Sequence, residues 1–171
     1  MLISESDLPG SEWALRDERV FRLGMLGEQT DWGVRARRSG NFAATRSFAQ
    51  DSTHSWILTE VLPFVSAEDA ILALRNWSTD NMWKNTKFRG ELVEEHELAD
   101  PSGPGVDAVR IFLQETVTPA ARGYVLHAVA TIDSVLLFVG VSRPDAPVNL
   151  GEIKPVIATQ AAKIRFLAPR S

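Results

Sequence analysis

A chain of 171 residues with 44% hydrophobic content can bury about two-thirds of its unfolded surface around one core, so a single domain spanning residues 1–171 is the expectation. Its 18 basic and 22 acidic residues are intermingled and sum to −4, leaving no broad positive field to draw in a nucleic-acid backbone. With no cysteine in the chain, disulfides, thiolate metal sites and cysteine nucleophiles are excluded.

The start, Met1-Leu2-Ile3-Ser4-Glu5-Ser6-Asp7, is acidic where an export signal begins basic, and no run approaches the ~20 apolar residues of a membrane span. The sequence as it stands therefore reads as soluble and cytoplasmic; a leader or anchor upstream would place it in the cell envelope.

Ser4 to Trp13 is broken by Pro9-Gly10 and reads as one turn of helix feeding an irregular lead. From Trp32, Val34 and Ala36 alternate with Gly33, Arg35 and Arg37, the period of a half-buried strand, and Arg38-Ser39-Gly40-Asn41 turns the chain toward a partner strand over Phe42 to Phe48. Trp56 to Phe64 is rich in strand formers and stops at Pro63, which cannot donate to a central ladder.

The clearest helix signal follows. Ser66 stands at the N-cap, Glu68 and Asp69 complement the dipole in the first turn, and Ala67, Ala70, Ile71 and Leu74 recur at helical spacing toward Trp77. Ser78 to Phe88 is polar around Trp83 and Phe88, as either more helix or a loop. Leu92 to Leu98 reads as a strand, and Ala99 to Gly105 as a Pro/Gly connector. In Val106 to Thr116, Val109, Ile111 and Leu113 alternate with Arg110, Phe112 and Gln114, again a strand.

Between Tyr124 and Ser142 two strand-like runs flank Asp133-Ser134, the spacing of a two-residue hairpin loop. That register sets Ile132 opposite Val135 and His127 opposite Gly140. Val135 to Val141 is apolar on both faces, which calls for cover from both sides or a central place in the sheet. The chain closes with a helix in which Asn149 can cap and Ile153, Val156, Ile157, Ala161 and Ile164 form one stripe; Pro155 is assigned to its first turn, where an N–H is dispensable. The fold class is thus α+β, an antiparallel sheet of about five to seven strands packed against two main helices.

Chemical motifs are scarce. A Gly-x-Ser-x-Gly elbow, a phosphate loop ending in Gly-Lys-Ser/Thr and a His-Glu-x-x-His helix are all missing, and Gly103-Pro104-Gly105 lacks the third glycine of a dinucleotide loop. His54 lies in a polar stretch. In Glu94-Glu95-His96-Glu97 only Glu94 would share a strand face with His96, so a solvated charge run accounts for it better than a metal site. His127, on a strand face with Val125 and Val129, is either a neutral histidine bonded within the sheet or a pH-sensitive acid–base group.

Five tryptophans are a heavy load for this length, and most are expected in the core. Trp77 and Trp83 fall in the polar stretch Arg75 to Arg89, where an aromatic either anchors a loop or lines a cleft; Trp77, Trp83, Arg89 and His127 are the candidate ligand-binding residues. Arg35 and Arg37 share one strand face and are the candidate anion contact, with solvated hairpin decoration as the alternative. The sequon Asn76-Trp77-Ser78 lies on the expected helix and reads as chance.

Three features stand in a telling order: a strand ending in Val61-Leu62-Pro63-Phe64, a helix opening at Ser66-Ala67-Glu68-Asp69-Ala70, and the closing stretch Ile157-Ala158-Thr159-Gln160-Ala161-Ala162-Lys163-Ile164. With the opening Leu2-Ile3-Ser4-Glu5-Ser6-Asp7-Leu8-Pro9, a Gly/Pro loop before a strand and the late hairpin, this order resembles the extracytoplasmic sensor-like domain of actinobacterial PknH-type receptor kinases and related lipoproteins. The resemblance implies an antiparallel sheet packed with helices around a cleft that binds an unidentified ligand without catalysis. Many such domains carry paired cysteines; this chain has none, and no residue acquires a binding role through the resemblance.

The function expected is a non-catalytic ligand-binding or sensor-like domain with its cleft between the sheet and the helix Ser66 to Trp77. It needs no cofactor or metal, takes an unknown small molecule or protein as partner, and has homodimerisation open to it. The alternatives are a small enzyme using His127 with Glu115 or Arg110, and a protein–protein interaction module.

Overall fold

The computed structural model describes residues 2–22, 42–77, 91–98, 105–117, 122–144 and 146–167. A 3-10 turn at Glu5–Asp7 precedes β1 (Ala14–Arg22), β2 (Phe42–Gln50) and β3 (Ser55–Pro63). Helix α1 (Ala67–Arg75) follows, then β4 (Glu91–Leu98), β5 (Ala108–Val117), β6 (Arg122–Ile132), β7 (Val135–Pro144) and α2 (Leu150–Leu167). The seven strands among the described residues form one sheet in the order β1-β2-β3-β7-β6-β5-β4, with every neighbouring pair antiparallel.

The late hairpin has the register that its two-residue loop dictates: Ile132 pairs with Val135 and His127 with Gly140, and Asp133 takes the left-handed conformation at φ 50°. β7, apolar on both faces, is the central strand of the seven. Because side chains alternate across a strand, it feeds two cores. Leu137, Val139 and Val141 join Ile57, Leu126, Ile132 and the α2 stripe on one face. Leu136 and Phe138 join Leu62, Phe112, Val129 and the α1 residues Ala70, Ala73 and Leu74 on the other. We call these the α2 face and the α1 face.

Helix α1 begins as its sequence demands, with the Ser66 hydroxyl accepting from the Asp69 N–H at 3.1 Å. It ends at Arg75, two residues short of Trp77. In α2 the buried stripe is the expected one, and Glu152 accepts from both the backbone and the side-chain N–H of Asn149. Pro155 is the sixth helical residue and so lies beyond the first turn. It is tolerated there because both it and Gly151, whose carbonyl it leaves without an N–H, are exposed to water.

The first third of the sheet departs from the sequence reading. Ala14–Arg22, to which the sequence reading gave no element, is a strand, and it occupies one side of β2 while β3 occupies the other. β2 has β1 on one side and β3 on the other, and Trp32–Arg37, the partner expected for Phe42–Phe48, lies outside the described residues. β1 is an edge strand whose run Arg16-Asp17-Glu18-Arg19, with a register shift between Leu15 and Asp17, is the charged and bulged form that blocks further strand addition.

The N-terminal lead crosses the α2 face. The Ile3 N–H donates to the buried Gln160 Oε1 at 2.9 Å, Arg46 donates to the Leu2 and Ile3 carbonyls, and Lys163 pairs with Asp7. Leu2, Ile3 and Leu8 thereby complete the α2-face core.

Candidate functional site

The α1 face is unevenly covered. Helix α1 packs chiefly on β5, β6 and β7 and shares its core with Leu62 of β3 and Ala43 of β2, while Trp56 and Leu58, nearer the start of β3, stay exposed. Antiparallel register sets side chains in rows across the sheet. One row runs Ser47, Leu58, Gly140, His127, Phe112 from β2 to β5; the row beside it runs Ala49, Trp56, Ser142, Val125, Gln114.

Along these rows the environment changes from open to enclosed. Trp56 and Leu58 on β3 are 48% and 36% exposed, whereas His127, two strands away, is 4% exposed. Gly140 lies between them; it contributes no side chain, is itself buried, and has the Phe138 ring filling the place where a side chain would stand.

His127 is held by its neighbours. Its Nε2 is 2.5 Å from Gln114 Oε1, a diagonal contact between β6 and β5, and its ring is tilted against Phe138 with centroids 5.7 Å apart. Because the amide presents its oxygen, Nε2 carries the proton and Nδ1 the lone pair. Nδ1 is buried and has no hydrogen-bond partner among the described residues, a deficit that costs about 1–3 kcal/mol when nothing fills it. Burial lowers the imidazole from 6.5 to about 4, so the ring is neutral.

Glu60, in the next row opposite Phe138, is subject to the same force with the opposite sign. Although the residue as a whole keeps some contact with water, loss of hydration around its carboxyl raises it from 4.5 to about 7.

Trp77 is 8% exposed and stacks on Phe138 with centroids 5.8 Å apart. This stacking holds the chain leaving α1 against the sheet. Arg110 reinforces that junction, donating to the carbonyls of Leu74, Arg75 and Trp77 as its guanidinium lies 4.9 Å from the Phe112 ring centroid. Trp83, Arg89, Arg35 and Arg37 lie outside the described residues.

Neither group that an enzyme built on His127 would use is placed with it. Glu115 alternates onto the α2 side, opposite Tyr124, and pairs with Arg122; Arg110 is engaged at the end of α1. Sequence reasoning also missed Trp56, Leu58 and Glu60. The signal was there: Trp56, Leu58 and Glu60 alternate with Ile57, Thr59 and Val61, and a carboxylate sharing a face with a tryptophan marks a face that is not sealed core.

A search of solved structures finds the extracellular domain of PknH from Mycobacterium tuberculosis, with a TM-score of 0.58 over 95% of this chain and 93% of that one. The two chains share a fold. Their sequences are 14% identical, so the likeness to PknH reaches the arrangement of strands and helices and assigns no residue a role. No family model and no curated protein matches the sequence.

Proposed function

We propose that this chain is a non-catalytic ligand-binding domain of the sensor type, which seats its ligand on the α1 face beyond the end of α1, over Trp56, Leu58, Gly140 and His127. The observation that carries this reading is the adjacency of an exposed tryptophan and leucine to a buried imidazole nitrogen without a partner. Ligand seats combine an apolar floor with a few fixed polar groups in this way. The fold shared with an extracellular domain supports the same reading and favours the cell envelope as its location. No helix among the described residues is long and apolar enough to cross a membrane.

In this proposal Trp77 borders the seat at the end of α1, Trp83 and Arg89 contact the ligand from the segment after α1, and Arg35 and Arg37 supply an anion contact. Thermal stabilisation of the full chain across lipids, glycans and small metabolites tests it. At least one class is expected to raise the melting temperature, with the shift abolished in Trp56→Ala and retained in a variant of the α2 face such as Ala162→Ser. A panel without a single stabilising compound, or stabilisation indifferent to Trp56, overturns the reading.

A second reading, as an interaction module, is favoured by the exposed Val20 and Phe42 at one end of the β1–β2 pair. Light scattering separates the two: the interaction reading requires self-association that Val20→Asp abolishes.

A further inference from the structure

We infer that the seat on the α1 face takes a linear oligosaccharide, stacked on Trp56 and hydrogen-bonded through its hydroxyls to Glu60 and the hydroxyl side chains beside it. This deepens the binding reading above and rests on it.

The apolar platform lies along β3. Trp56, Leu58, Glu60 and Leu62 share the α1 side of that strand, and burial rises along them: Trp56 and Leu58 are exposed, Glu60 is half-buried, and Leu62 belongs to the core under α1. Ala49 and Ser142 flank Trp56 on the neighbouring strands, and neither is large enough to cover an indole. An exposed ring between small neighbours offers a flat apolar surface, and the C–H face of a pyranose is its complement.

A polar rim borders the platform. Thr45 stands opposite Glu60, Ser47 opposite Leu58 and Ser142 opposite Trp56, so every platform residue has a polar side chain within reach of the same ligand. Thr45, Ser47, Glu60 and Ser142 are all half-buried, and among the described residues none of their side chains has a hydrogen-bond or ion-pair partner. Arg19, next to Thr45 in the row, is held by Asp17 at 2.6 Å. These four groups are therefore left for a ligand, and a ring of hydroxyls, each both donor and acceptor, meets them all. With burial raising it to about 7, Glu60 accepts in one protonation state and donates in the other; hydroxyls suit both states, whereas an organic cation suits only the ionised one.

The spacing sets the ligand's length. Trp56 and Glu60 are separated by four strand rises, about 13 Å between Cα atoms, which is more than one pyranose spans. A chain of linked sugars covers both, and the contact proposed for Arg35 and Arg37 suits the same class, since guanidinium groups donate to sugar oxygens and to the carboxylates of acidic sugars.

NMR titrations of the full chain with cellohexaose, mannohexaose and hexagalacturonate test the inference, with the methyl glycoside of each sugar and benzyltrimethylammonium as comparisons. At least one hexasaccharide is expected to bind at least tenfold more tightly than its methyl glycoside and than the ammonium ion, with the largest shifts at the Trp56 indole and the Leu58 methyls. Trp56→Ala and Glu60→Leu should each weaken it at least tenfold, and Thr45→Val at least threefold. Glu60→Leu exchanges an unpaired half-buried carboxyl for an apolar group of similar size, so it should unfold at a higher urea concentration while binding worse, which separates lost contact from lost fold. No binding by any hexasaccharide, equal affinity for the single sugar, tighter binding of the ammonium ion, shifts centred elsewhere, or full affinity in Glu60→Leu each overturn the inference. If no hexasaccharide binds while a lipid or metabolite of the wider panel stabilises the chain through Trp56, the inference falls and the binding reading stands.

Discussion

Gly140 faces His127 across the central hairpin, and a methyl group placed on it would come within 3.1 Å of the Phe138 ring. The ring leans along its own strand and takes the volume that a side chain at Gly140 would fill. Replacing Gly140 with alanine therefore sets two effects against each other. The lower entropy of the unfolded chain stabilises by about 0.4–1 kcal/mol, and overpacking against a ring held between Trp77 and His127 costs about 1–3 kcal/mol. The clash wins because all three rings must move together. Gly140→Ala is expected to lose about 1–2 kcal/mol in urea unfolding, and Phe138→Leu in the same chain should recover part of that loss, giving a coupling above about 0.5 kcal/mol. Strict additivity would mean that the ring is free to move aside.

The opposed shifts of His127 and Glu60 predict a pH profile that neither group shows alone. His127 is lowered from 6.5 to about 4, so between those values the unfolded chain binds a proton that the folded one refuses. Stability from this group is complete above 6.5 and is lost as pH falls toward 4, by roughly 3 kcal/mol in full. Glu60 is raised from 4.5 to about 7, so the folded chain binds the extra proton and stability is lost as pH rises through 7. From 4.5 to 6.5 the two oppose each other, and the unfolding free energy of the unmodified protein should change little on their account. Glu60→Gln leaves the histidine slope, with stability rising from pH 4 to 6.5, and His127→Phe leaves the carboxyl slope, falling from 4.5 to 7. Urea titrations at unit pH intervals would read both, and slopes of the same sign in the two variants would refute the assignment.

The parts of this fold that were legible are those where local chemistry and burial agree. Asp133-Ser134 set the register of the central hairpin, and with it the His127–Gly140 pair, because a two-residue loop leaves no freedom in the pairing. Ser66 and the apolar stripe of α2 were equally plain. β1 was not, since Arg16-Asp17-Glu18-Arg19 has the charge of a solvated run; an edge strand carries that charge for a tertiary reason, the exclusion of further strands. The site was half legible. His127 could be singled out as a lone imidazole among valines, but the openness of β3 on the α1 face depends on where α1 ends, and a strand's own residues do not record that. The polar sequence neighbours of Trp77 leave both a cleft and an anchoring role open, and its burial follows from Phe138, 61 positions away in the chain.

Gln160 ties the N-terminal lead to α2, and its loss should be felt at the other end of the chain. Its side chain is fully buried and accepts from Ile3 N–H, itself buried. Gln160→Leu keeps the volume and removes the acceptor, which strands a donor away from water at a cost of about 1–3 kcal/mol. The lead should nevertheless stay docked, because Arg46 still donates to the Leu2 and Ile3 carbonyls and Lys163 still pairs with Asp7. Hydrogen exchange should accelerate at Ile3 while Leu126 and Val139 keep their protection. Unchanged exchange at Ile3 would show that the bond is not formed in solution.

The two tryptophans on the α1 face should separate stability from binding. Trp77 is buried, stacked on Phe138 and enclosed by the α1-face core, so Trp77→Ala removes a large side chain that the surroundings cannot collapse to replace; a loss of about 3–5 kcal/mol is expected. Trp56 leaves nearly half its surface in water on a strand already paired on both sides, and Trp56→Ala should cost less than about 1 kcal/mol. If the face beyond α1 is where ligands rest, the cheaper substitution is the more damaging to binding. Trp56→Ala should weaken every stabilising compound by at least tenfold, whereas the milder Trp77→Phe, which keeps a ring against Phe138, should leave affinity within about threefold. Urea midpoints and ligand titrations on the same two variants give both numbers, and a Trp56 variant that binds normally would move the ligand off β3 altogether.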